Sequence, residues 1–115
     1  MLKIATLSVA LMMQSWGAID VGIDSETWLL DYSSKTPTRY GLAVWVKSIK
    51  PNGEYMMTNY LIDCDDRTLG ARAIVKYTSA GRIVDSYSHP DVLVQKTPAV
   101  PETVGASIIR AACAR

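Results

Sequence analysis

The sequence predicts an α+β domain: a single antiparallel β-sheet of about five or six strands with a C-terminal α-helix packed on one face. Three observations point there. From Glu26 the chain is a series of short alternating runs separated by turn residues. The C-terminal tail changes to helical periodicity. The only two cysteines, Cys64 and Cys113, end a strand-like run and the helix-like run, so one bridge between them would tether the helix to the sheet.

The N-terminal segment, MLKIATLSVALMMQSWG, reads as an export signal occupying residues 1–17. Lys3 supplies a short positive region. Ile4 to Met13 is apolar but too short to span a bilayer comfortably. Ser15 and Gly17 place small residues at −3 and −1 for cleavage after Gly17; cleavage after Ala18 puts Trp16 at −3. A buried N-terminal strand or helix is the alternative. The remainder, residues 18–115, is expected to be one domain. Export would bring the chain to an oxidising compartment, periplasm or cell surface, where a disulfide persists. Two free buried thiols in a cytosolic protein is the competing reading.

Thr27 to Tyr32 is the first strand, and Ser33 to Thr38, with Pro37, reads as a loop. In Leu42 to Ile49 the alternation puts Leu42, Val44 and Val46 on one face, with Trp45 beside Ala43 and Lys47 on the other. Pro51-Asn52-Gly53 is a turn signal, because Pro presets one dihedral and Gly permits positive φ. It should join this run to Glu54 to Cys64 as a hairpin. There Tyr60, Ile62 and Cys64 share one face, and Tyr55, Met57 and Leu61 the other.

Asp65-Asp66-Arg67 reads as a charged bend. Ala71 to Thr78 and Arg82 to Ser88 follow as strands joined by the tight turn Ser79-Ala80-Gly81. His89-Pro90-Asp91 breaks the pattern, Val92 to Val94 reads as a short edge strand, and Thr97 to Pro101 as extended chain. Pro101-Glu102-Thr103 then opens a helix whose stripe is Val104, Ile108, Ala111 and Ala112. Glu102 is placed to complement its positive end, and Arg110 its negative end.

Composition limits function. The 115 residues are 49% hydrophobic and 20% charged, which suits a globular domain. Without Lys3 the balance is 11 basic against 11 acidic side chains, so no positive surface is available for nucleic acid. No cofactor motif occurs, and two thiols with a lone histidine do not make a zinc set. His89 beside a cysteine nucleophile, or paired carboxylates from Asp31, Asp63, Asp65, Asp66 and Asp85, are the catalytic options. A loop histidine and a charged bend explain the same residues. The aromatic residues are all Trp and Tyr, types that supply contact area with a polar handle. Tyr55, Tyr60, Tyr77, Tyr87 and Trp45 form the candidate binding surface, although sheet packing also uses such residues.

Taken in order, several short motifs resemble the surface-adhesin E family of small exported bacterial proteins. They are Trp28, Leu42-Ala43-Val44-Trp45-Val46, Tyr60-Leu61-Ile62-Asp63-Cys64 with Arg67, Tyr77 to Gly81 with Ile83, then Pro101, Val104-Gly105 and Ala112-Cys113. The likeness runs from about Trp28 to Cys113. Thr103 stands where the family usually has Ser, and Val94 to Thr97 replaces a segment that often carries Trp. The resemblance implies an antiparallel sheet with a C-terminal helix tethered by Cys64–Cys113. It also implies a non-enzymatic exported module that recognises a protein partner, a host matrix or cell-envelope component. The expected partners include neither nucleic acid nor a membrane spanned after signal removal. A homodimer by sheet extension stays open, as does a structural or accessory role in the envelope.

Overall fold

The computed structural model of this chain describes residues 15–114, so the apolar run Ile4 to Met13 lies outside the described residues. Among the described residues, eight antiparallel strands form one sheet, β1 (Trp16–Val21), β2 (Thr27–Asp31), β3 (Thr36–Thr38), β4 (Gly41–Ile49), β5 (Tyr55–Asp63), β6 (Thr68–Tyr77), β7 (Ile83–Ser88) and β8 (Thr97–Pro98), followed by the helix α1 (Val104–Cys113). The order across the sheet is β1-β2-β4-β5-β6-β7; β3 pairs with β4, and β8 with β6. No described helix is long and apolar enough to cross a membrane.

The two expected hairpins are present. Lys50 and Glu54 close the β4–β5 turn, where Gly53 has φ +91°. Thr78 and Arg82 close the β6–β7 turn around Gly81. The charged bend is an Asx-type turn: Asp63 Oδ1 accepts from the amides of Asp65 and Asp66, and Arg67 adopts φ 56°.

Three expectations need correction. Residues 33–38 are not all loop. Tyr32–Ser34 form a short 3₁₀ turn, and Thr36–Thr38 pair with β4 as a short edge strand, where the missing N–H of Pro37 costs little. Val92 to Val94 is not a strand: Asp91–Leu93 make a 3₁₀ turn, with Leu93 and Val94 amides donating to Pro90 and Asp91. The strand pairing comes later, from Thr97–Pro98 against Thr68 and Leu69. Glu102 lies outside the helix with φ 65°; Thr103 is the N-cap, its hydroxyl oxygen accepting from the Ala106 amide at 3.4 Å.

β1 was not anticipated as a strand. Trp16 and Gly17 pair with Asp31 and Leu30, inside the segment read as signal. Cleavage after Gly17 would therefore cut within β1.

The core lies between α1 and one face of the sheet. Leu30, Val44, Val46 and Ile62 pack against Ile108, Ile109 and Ala112, all essentially inaccessible. Leu42, Tyr60 and Leu69 pack around them, as the alternation requires. The helix stripe is broader than its apolar period indicated, because Ala106 and Ile109 are also buried. Cys64 and Cys113 are bridged, with Cα atoms 5.7 Å apart, so the last turn of α1 is fixed covalently to the end of β5.

Candidate binding surface

Strand register decides which side chains the helix leaves uncovered, because residues directly opposite each other in an antiparallel pair share a face. Leu29, Lys47, Met57, Val75 and Ser86 form one row on the face away from α1. Thr27, Ile49, Tyr55, Tyr77 and Ile83 form the next row. On the same face Trp16 pairs with Asp31, and Trp45, Asn59, Ala73 and Ser88 form a row; Asp31 and Asn59 are buried.

The aromatic groups on this face are held in place. Tyr55 and Tyr77 are opposite each other and stack, with centroids 4.6 Å apart and planes 12° apart. The Lys47 ammonium lies 4.7 Å from the Trp16 ring centroid and 5.4 Å from that of Tyr55. A cation over two rings is attracted to both π-faces while its stem covers apolar surface. Asp31 is occupied structurally. Its Oδ1 accepts from the Ser15 amide, the Ser33 amide and the Ser33 hydroxyl, which pins β1 and the turn after β2.

A strap formed by residues 89–96 crosses the disulfide end of this face. It crosses Gly70, which forms one row with Ala43 and Leu61 across β4, β5 and β6. A Cβ on Gly70 would lie 2.4 Å from the Gln95 carbonyl oxygen, so only glycine admits the strap this closely. Arg72 anchors it: Nε donates to Asn59 Oδ1 at 3.0 Å, and Nη1 reaches both Asp91 carboxylate oxygens at 3.1 Å. Lys96 Nζ donates to the Tyr40 carbonyl at 2.6 Å. Among the described residues, neither strap nor helix covers the hairpin end of the face.

Of the five side chains predicted to form a surface, Trp45, Tyr55 and Tyr77 lie on this open face. Tyr60 and Tyr87 lie on the helix side. Tyr60 packs against the core, and burial pushes its hydroxyl pKa up, with a further upward contribution from nearby Tyr87. Tyr87 is exposed on β7 and meets His89 edge-on at 5.7 Å. The predicted set is therefore two groups back to back, not one patch. Trp16 was missed because it fell within the apparent signal; Lys47 was placed on the right face without a role.

Beside the β4–β5 turn, a hollow of about 260 Å³ is lined by Ser48, Lys50, Glu54, Tyr55, Met56, Lys76, Tyr77 and Val84. Asp63 is committed to its turn, and His89 to the edge of Tyr87. No three His, Cys, Asp or Glu side chains among the described residues are grouped as a metal would require. Compared with protein-family models, curated proteins and solved structures, the chain finds no match in any of the three.

Proposed function

We propose that this chain is an exported, non-enzymatic binding module that recognises a protein partner through the open, helix-free face of its sheet. The observation that carries the reading is the composition of that face. Trp45, Tyr55 and Tyr77 surround Leu29, Ile49, Met57 and Val75, with Lys47 as a cation held against Tyr55. Half-buried Trp and Tyr on rigid strands give large contact area at little entropic cost, and such groups dominate binding energy at protein interfaces. The likeness of the sequence motifs to the surface-adhesin E family supports the same reading, and makes a host matrix or cell-envelope protein the expected partner. The disulfide is compatible with export.

A structural or accessory envelope role is the second reading. The wholly exposed outer strand β7 favours it, since an unpaired edge suits assembly.

The test is surface-resonance titration of immobilised host matrix and envelope proteins with the oxidised domain. Saturable binding, weakened tenfold or more by Tyr77→Ser or Trp45→Ser and unaffected by Arg110→Gln on the opposite side, is expected. Absence of saturable binding to either class of protein, or equal effects of all three substitutions, would contradict the assignment.

A further inference from the structure

We infer that the cleft between the β1–β2 and β4–β5 turns is a saccharide-binding site. Its volume is about 430 Å³, within the roughly 300–1,000 Å³ usual for small-molecule sites. Its floor is Trp28 and Ser48, directly opposite each other in the β2–β4 register. Trp28 also packs against the core beneath α1, so the floor belongs to the helix side of the sheet and not to the open face. One wall is the turn carrying Asp24 and Glu26; the other is Lys50, Pro51 and Asn52.

Both walls are fixed within the chain. The Gly22 amide donates to the Glu26 carbonyl at 2.8 Å, and the Ser25 amide to the Gly22 carbonyl at 3.0 Å. Glu26 folds back over this turn: Oε1 accepts from Trp28 Nε1 at 3.3 Å, and Oε2 from the Asp24 amide at 3.2 Å. A Cβ on Gly22 would strike Glu26 Oε1, so the fold-back needs glycine there. Across the cleft, Asn52 Oδ1 accepts from the Glu54 amide, and Asn52 Nδ2 donates to Glu54 Oε1. Glu26 and Asn52 are thus committed to holding the walls. The Asp24 carboxylate, the Ser48 hydroxyl and the Lys50 ammonium, by contrast, have no partner among the described residues.

These three groups and the indole define the ligand. A carboxylate that only accepts and an ammonium that only donates flank a hydroxyl that does both. Neighbouring sugar hydroxyls satisfy all three, because each one donates and accepts. The indole N–H is already bonded, so Trp28 offers ring surface, against which the C–H face of a pyranose packs. The two free charges cancel, which suits a neutral ligand. An amino-acid zwitterion would also pair with Asp24 and Lys50, but both are exposed, where ion pairs contribute little, and the indole would go unused. Ser48 and Lys50 also line the smaller hollow beside the β4–β5 turn, so the two spaces adjoin and leave room for a second sugar unit.

Titration of the ¹⁵N-labelled, oxidised protein tests the site with two series: N-acetylglucosamine oligomers, the sugar of bacterial wall glycans, and galactose-terminated oligosaccharides, as on animal glycoproteins. The series that binds more tightly identifies the source. The Trp28 indole N–H and the Ser48 and Lys50 amides should shift saturably, with a Kd on the order of 1 mM for one sugar unit. A second unit should tighten binding about tenfold, and salt up to about 0.5 M should leave it unchanged. Asp24→Ala and Lys50→Met should each weaken it about fivefold without lowering the melting temperature. Arg39→Gln, at the other end of β4, should have no effect. No saturable shift with either series overturns the proposal, as does binding indifferent to both cleft substitutions. Glycylglycine that moves the same resonances at lower concentration than any sugar, and loses its effect in salt, would make the cleft a zwitterion site instead.

Discussion

Ile109 shows how much one side chain carries in a domain of this size. It is fully buried where α1 meets Leu30, Val44 and Ile62. Its position beside the stripe Val104, Ile108 and Ala112 widens the apolar face of a helix of only ten residues, too short to persist without a sheet beneath it. Ile109→Ala is expected to cost about 3 kcal/mol in urea unfolding, from lost burial and the cavity left behind. Tyr60 gives a pH-dependent prediction. Its pKa is raised above the ordinary 10.0 because burial disfavours the phenolate. The folded state therefore keeps its proton at pH values where the unfolded chain has begun to lose it. Stability from this group is complete below the ordinary value and falls as pH rises through the higher folded one. Thermal melts from neutral to strongly alkaline pH should show this decline, and Tyr60→Phe should make it shallower.

At the scale of the element, β1 is the part whose identity matters most for function. Its first residues pair Trp16 with Asp31 and Gly17 with Leu30, and the Ser15 amide bonds Asp31. A chain starting at Ala18 loses both pairs, that bond and the ring beneath Lys47. It should be about 1–2 kcal/mol less stable in chemical denaturation than one starting at Ser15. Equal stability would mean that the start of β1 contributes nothing.

The central hairpins were legible in the sequence because Pro51-Asn52-Gly53 and Ser79-Ala80-Gly81 interrupt clear alternation with residues that have one conformational use. The inward face of β4 and β5 was legible from the same period. β1 was not, because an apolar leader and the start of an edge strand share a composition, and a bulge between Ala18 and Asp20 breaks the alternation. The strap was not either. Its course over Gly70 depends on Arg72 reaching Asn59 and Asp91 across three segments, which no local pattern records. Splitting of the tyrosines between faces followed directly from their parity. What parity could not supply was which face the helix would take.

For the molecule as a whole, the bridge between Cys64 and Cys113 sets that choice, because it brings the last turn of α1 to the end of β5, on the side of Ile62. It closes a loop of 49 residues, which corresponds to about 4 kcal/mol in the chain-entropy model. The double substitution Cys64→Ala/Cys113→Ala should lower unfolding stability by about that amount, read from the urea midpoint. Part of the sheet would then lose its cover, and the distinction between a helix side and an open side would weaken. Peptide mapping of the chain recovered from the exported fraction, alkylated with and without reductant, tests the account most directly. A Cys64 peptide joined to a Cys113 peptide and released only by reduction, in a chain lacking the apolar leader, is the predicted result. Two thiols alkylated without reductant, in a chain that keeps its leader, would contradict it.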